Sequence, residues 1–283
     1  MTLFHDTGCR LGEGPLWQGD TLWFFDILAQ RLHALSAAGR AHRTWTLDRM
    51  ASAAAALEDG GLLVATETAL CRFRAEDGTC EDLHPLEAEN SATRSNDGRA
   101  DRHGGFWIGT MGKTAQPGAG ALYRYHAGTL TVLRRGLSIP NAIAFAPDGR
   151  TAYFACSAAG QIWRWPLDAA GWPIGEPLPH FALPPGEGAP DGAVMAADGT
   201  LWCAIWDGGA VIGIDPEGRV AARLPLPVPR PTCPAFGPDG ALYITSAREG
   251  LSPAALAAAP SSGGVFRLSP NTPALPEPRL PAP

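Results

Sequence analysis

Lysine occurs once in this 283-residue chain, at position 113, and every other fixed cation is an arginine. Lysine and arginine together number 22 against 28 acidic residues, for a net charge of −6, and no block of basic residues interrupts the chain. That balance excludes a nucleic-acid-binding surface. No apolar run approaches the roughly twenty residues a membrane-spanning helix needs, so no membrane segment is expected. The start, Met1 to Asp6, lacks a basic region followed by an apolar stretch, so a signal peptide is not expected and a cytoplasmic location is. The six cysteines form no CxxC pair and show no metal-ligand spacing, which argues against a thiolate zinc site or a dithiol redox centre. Cys156, Cys203 and Cys233 fall in strand-like runs, and all six are expected to be reduced. Nucleophile elbow, phosphate loop and dinucleotide fingerprint are all missing. Proline and glycine total 61 (27 and 34), below what disorder requires, and most mark turns. The Pro-rich end, from Pro270 to Pro283, is the one segment expected to be loose.

What the chain does have is a repeat. Hydrophobic strand cues centre on Trp23, Leu63, Trp107, Tyr153, Trp202 and Tyr243, separated by 40, 44, 46, 49 and 41 positions. Each unit opens with a polar residue and a small or apolar strand, then a turn that is Asp-Gly in four units. The aromatic strand follows, then a third strand in which an arginine usually precedes an apolar residue. Asp-Gly between alternating runs is a strong hairpin cue, because both residues tolerate positive φ. A repeat of this length built from short strands predicts an all-β, six-bladed β-propeller as one domain over residues 1–283. Little chain remains after Leu268, so the strand at Thr2–His5 is expected to complete the last blade and close the ring.

Stepping back ten to twelve positions from each cue gives Glu13, Ser52, Asn96, Asn141, Asp191 and Thr232. Equivalent positions in the blades of a propeller encircle its axis, so this ring is the candidate site. Asp-Gly four or five positions before an aromatic is a hairpin tip, whereas Asp97-Gly98 and Asp191-Gly192 sit at the start of an innermost strand, expected at the channel mouth. Glu13, Asn141 and Asp191 together offer two anionic oxygens and one neutral one, a set suited to a hard divalent cation. No histidine shares the ring phase, which argues against a histidine-rich zinc centre. Arg94 and Asn96 can grip hydroxyl and carbonyl oxygens of a polar substrate. The lone Lys113 either contacts substrate or simply survives a compositional bias toward arginine.

Leu11-Gly12-Glu13-Gly14-Pro15-Leu16-Trp17, Arg94-Ser95-Asn96-Asp97-Gly98-Arg99 through Met111, Ile139-Pro140-Asn141-Ala142, Pro190-Asp191-Gly192 and Arg230 to Gly237 resemble the motifs of the senescence-marker-protein/gluconolactonase family, which includes regucalcin and bacterial sugar lactonases. The resemblance spans residues 8–268. It implies one divalent metal ion (Ca²⁺, Zn²⁺, Mn²⁺, Mg²⁺ or Fe²⁺) held by Glu13, Asn141 and Asp191. It implies Arg94 and Asn96 as substrate-binding residues, Asp191 as catalytic acid or base, and a small-molecule sugar lactone as substrate. A monomer or weak homo-oligomer is expected. Three positions depart from the family pattern: Ala142 stands where glycine is usual, Gly112-Lys113-Thr114 replaces a segment that in some members carries a glutamate, and Phe236-Gly237-Pro238 shortens a double glycine. Two alternatives stay open at this stage, a non-catalytic metal- or partner-binding propeller and a hydrolase of another activated ester or phosphotriester.

Overall fold

The computed structural model describes residues 1–270 and 272–282. Its strands form six antiparallel sheets of four. Five are simple meanders whose innermost strands are Gly12–Gln18, Ala51–Ala56, Thr93–Ala100, Pro140–Phe145 and Ala189–Met195, and they are called blades one to five. Blade six takes Pro231–Phe236, Leu242–Ser246 and Val265–Leu268 from the end of the repeat and Thr2–His5 from the start. The terminal strand thus pairs with Val265–Leu268, as expected, and closes the ring.

Residue size follows from this geometry. Six innermost strands converge on one axis and leave room only for small side chains, hence the buried run Ala51-Ser52-Ala53-Ala54-Ala55-Ala56. The second strands lie farther out and carry the aromatic cues, all buried where blades meet. Six apolar clusters form the core, one for each seam between neighbouring blades. The repeated arginine of the third strand also has a reason. Arg72, Arg124 and Arg267 pair with Asp59, Asp101 and Asp239 at the hairpin tips of their own blades, and the Arg124–Asp101 pair (2.7 Å) is fully buried.

Two expectations are corrected. Cys71 and Cys80 sit on adjacent antiparallel strands with Cα atoms 5.7 Å apart and are joined by a disulfide, so these two are not reduced; Cys9, Cys156, Cys203 and Cys233 are free and buried. Nor does the Pro-rich end hang loose in its described part. Trp202 Nε1 donates to Thr272 Oγ1 (3.0 Å), Ala197 N–H to the Pro273 carbonyl (2.9 Å), and Leu280 is buried between hydrogen bonds to Ala56 and Glu58. No helix among the described residues is long and apolar enough to cross a membrane.

Removing residues 1–8 deletes the closing strand and the Phe4 edge contact with Tyr243. Lost burial and strand hydrogen bonds cost about 3–5 kcal/mol, so Tm is expected to fall by about 10 °C. A differential-scanning trace that does not move would show that the ring closes without this strand.

Candidate active site

Every innermost strand breaks its register with the second strand, and in each the break lies at or beside the ring residue: Glu13/Leu16, Ala51/Ala53, Ser95/Gly98, Asn141/Ala144, Pro190/Ala193 and Pro231/Pro234. Such a bulge bends the strand and re-aims a side chain. The residue after Glu13 is Gly14 at φ 56°, where a Cβ would meet the Ser52 carbonyl oxygen at 2.2 Å, so glycine is required there. Ala142 holds the same left-handed conformation at φ 51° after Asn141, buried and without glycine's freedom. The alanine at the departure from the family pattern therefore leaves the backbone path intact at a local conformational cost of about 1 kcal/mol.

The ring divides into two groups. Glu13, Asn96, Asn141 and Asp191 line a cavity of about 540 Å³ at one end of the channel, together with Arg94, Lys113 and Ser157. That volume suits a small molecule. Ser52 and Thr232 do not line it. The Ser52 hydroxyl lies 2.8 Å from Ser95 Oγ and Thr232 Oγ1 bonds the Gly12 carbonyl, so these two tie neighbouring innermost strands together. Asp97 is not at the mouth as expected; it is buried beneath the ring, where its Oδ2 accepts from Ile143 N–H (2.7 Å).

Within the cavity wall a chain of hydrogen bonds runs in one direction. Arg94 Nη1 donates to Asn96 Oδ1 (2.8 Å), Asn96 Nδ2 donates to Asn141 Oδ1 (3.0 Å), and Asn141 Nδ2 donates to Asp191 Oδ1 (2.8 Å). Each bond polarises the next. Ser157, which the repeat does not flag because it sits on the turn after a second strand, accepts from Asn141 Nδ2 (2.9 Å) and donates to the Pro190 carbonyl (2.7 Å). Lys113 reaches the rim from blade three, where its Nζ lies 2.5 Å from Glu67 Oε2 of blade two. Trp206, Arg230 and Glu249 complete the rim on the opposite side.

The two carboxylates are the unusual feature. Glu13 is 8% exposed and Asp191 6%, yet neither forms an ion pair among the described residues. Burial, reinforced by Asp97, pushes the Glu13 carboxyl up to about 8, and burial with the Glu13 charge pushes Asp191 well above the usual carboxylate range. Burial also lowers the Arg94 guanidinium from its ordinary value. The site holds two buried acids whose charges oppose each other.

The SMP-30/Gluconolactonase/LRE-like region matches residues 11–248. The chain belongs to this family. It is similar to the crystal structure of regucalcin, a calcium-binding protein from Agrobacterium tumefaciens, with a TM-score of 0.94, 39% identity and coverage of 98% of this chain and 96% of that one. It is 37% identical to the L-arabinolactonase of Azospirillum brasilense over 94% of this chain and 90% of that protein. Identity to the 6-deoxy-6-sulfogluconolactonase of Pseudomonas putida is also 37%, over 95% of this chain and 94% of that one.

Proposed function

We propose that the protein is a metal-dependent lactonase that opens a sugar-acid lactone, an aldonolactone, to the aldonic acid. The observation that carries the reading is the pair of buried carboxylates, Glu13 and Asp191, facing one cavity with no cationic partner and flanked by the Arg94–Asn96 pair. Two named lactonases among the relatives support the reaction class, and a calcium-binding relative supports a divalent cation.

The donor set fits a cation. A divalent ion between Glu13 and Asp191 would neutralise two charges that otherwise repel in a desolvated site. Asn141 would supply the third oxygen through its Oδ1, which here accepts from Asn96 Nδ2. No third His, Cys, Asp or Glu joins the group among the described residues, so waters and substrate would fill the remaining positions. When bound, the ion supplies Lewis-acid polarisation of the lactone carbonyl.

The chain's own residues do the rest. Arg94 has one nitrogen committed to Ser95 and Asn96, and its other N–H groups have no acceptor among the described residues, leaving them free for substrate hydroxyls. Asn96 fixes that arginine while it faces the cavity. Lys113, held by Glu67, contributes a positioned ammonium at the entrance. Asp191 accepts a proton as water adds to the carbonyl carbon, and returns it to the ring oxygen as the carbon–oxygen bond breaks. The product acid then ionises, so turnover releases one proton per lactone.

A panel of γ- and δ-aldonolactones assayed by acid release, first on chelator-treated protein and then with each divalent cation in turn, tests the reading. Hydrolysis of at least one polyhydroxylated lactone is expected only after a cation is restored. Full activity in metal-free protein would remove the cation, and turnover confined to aryl esters or phosphotriesters would move the reaction to another class.

A further inference from the structure

Below the ring, Arg99 of blade three is 7% exposed and satisfies its donors on groups from four other parts of the chain, one of them Cys233 Sγ of blade six (3.9 Å). Its Nε donates to the Ile143 carbonyl of blade four (2.9 Å) and its Nη2 to the Ala193 carbonyl of blade five (2.8 Å). Its Nη1 pairs with Glu277, whose side chain is 15% exposed. Ile143 and Ala193 each lie two residues past a cavity amide or carboxylate, Asn141 and Asp191; Ile143 is inside the register break of its strand and Ala193 is the residue at which pairing resumes after the break of its own. An innermost strand has no strand on its axial side, so a carbonyl that faces the axis bonds to water or to a side chain that crosses the channel. Arg99 is that side chain. Asp97 supplies the complementary acceptor, taking the Ile143 N–H (2.7 Å).

Glu277 comes from the C-terminal segment, which crosses the closed face of the propeller as a strap. The strap is fixed at blade five through Thr272 and Pro273, and at blade two through Leu280, whose N–H donates to the Ala56 carbonyl (2.9 Å). Between these anchors Glu277 meets Arg99, and the two side chains line two small cavities of about 20 and 10 Å³. The Arg99–Glu277 pair and the strap behind it thus lie at the channel's far end.

We propose that Arg99, clamped from below by Glu277 of this strap, is a positioning residue that fixes the bulged backbones presenting Asn141 and Asp191 to the cavity. Glu277 touches neither the cavity nor its contents and acts through Arg99. The inference deepens the lactonase reading, since the groups positioned are those assigned to the cation and to proton transfer.

The test compares wild type with Glu277→Ala, Glu277→Gln and a chain ending at residue 270. Readouts are Mn²⁺ affinity of chelator-treated protein, kcat and KM for the best lactone of the panel, and hydrogen exchange of peptides covering 140–145 and 189–195. Glu277→Ala is expected to weaken Mn²⁺ binding about 10-fold and lower kcat about 10-fold, with KM within about 2-fold and faster exchange in both peptides. Glu277→Gln retains an acceptor for Arg99 and should recover most of each loss. The shortened chain should behave like Glu277→Ala or worse. Lower Tm with unchanged Mn²⁺ affinity, kcat and exchange would make the strap a structural brace and overturn the inference. If wild type neither binds Mn²⁺ nor opens lactones, the lactonase reading fails, and the exchange comparison still decides the positioning claim.

Discussion

Asp191→Asn is expected to lower kcat/KM by at least about 10³-fold. The change keeps the side chain's size and its ability to accept from Asn141 Nδ2, so the hydrogen-bonded wall survives. What disappears is one anionic oxygen for the cation and the only proton acceptor assigned to the attacking water. Loss of a general base alone costs about 10²–10⁴-fold, and weaker cation binding adds to it. Stability supplies the control. Asp191 is buried beside Glu13 with its charge unfavourable, so the neutral amide should leave metal-free Tm equal to wild type or higher. A folded Asp191→Asn protein retaining more than about a tenth of wild-type kcat/KM would place the base elsewhere.

The second large effect is a reversed pH response in the metal-free protein. Glu13 has a folded pKa of about 8 against an ordinary value of 4.5, because burial and then the Asp97 charge oppose its ionisation. A carboxyl whose folded pKa is raised binds more protons in the native state than in the unfolded one. Stability is then greatest below about 4.5 as far as this group is concerned, and is lost as pH rises toward 8. Asp191 shifts in the same direction. Metal-free Tm should therefore fall between pH 5 and pH 8, and a saturating divalent cation should abolish the fall. Cation binding must displace at least one proton over that range, so apparent affinity should rise at least about tenfold per pH unit until pH approaches 8. Glu13→Gln removes one of the two titrating groups and, with it, a charge that raises Asp191. It should flatten the Tm profile and weaken Mn²⁺ binding by roughly 10²-fold, since one of two anionic ligands is gone. A metal-free Tm that climbs steadily from pH 5 to pH 8 would contradict the proposed electrostatics.

Much of this was legible before any coordinates. The blade count, the closing strand and the convergence of Glu13, Asn96, Asn141 and Asp191 on one cavity follow from a single periodicity, because a propeller places equal phases at equal distances from its axis. What periodicity could not separate is the direction a side chain takes after a bulge. Ser52 and Thr232 share the ring phase yet turn sideways onto neighbouring strands, and Asp97 shares its Asp-Gly signature with Asp191 yet points below the ring. Ser157 escaped notice because it sits on a turn outside the repeat. The Cys71–Cys80 bond was invisible because a spacing of nine residues reveals nothing until both flank one strand pair. The tail misleads for a compositional reason: its prolines disfavour a strand, but they do not prevent an extended segment from docking through Thr272, Glu277 and Leu280. The pairing of third-strand arginines with hairpin aspartates is present in the repeat, but spacing alone does not show that the two side chains meet.

Crystals equilibrated with Mn²⁺ and measured at its absorption edge give the most direct test of the central claim. The account predicts one strong anomalous peak at the hub, in contact with the carboxylates of Glu13 and Asp191 and the amide oxygen of Asn141. A hub without a peak, in crystals of protein that still hydrolyses lactone when redissolved, would contradict it.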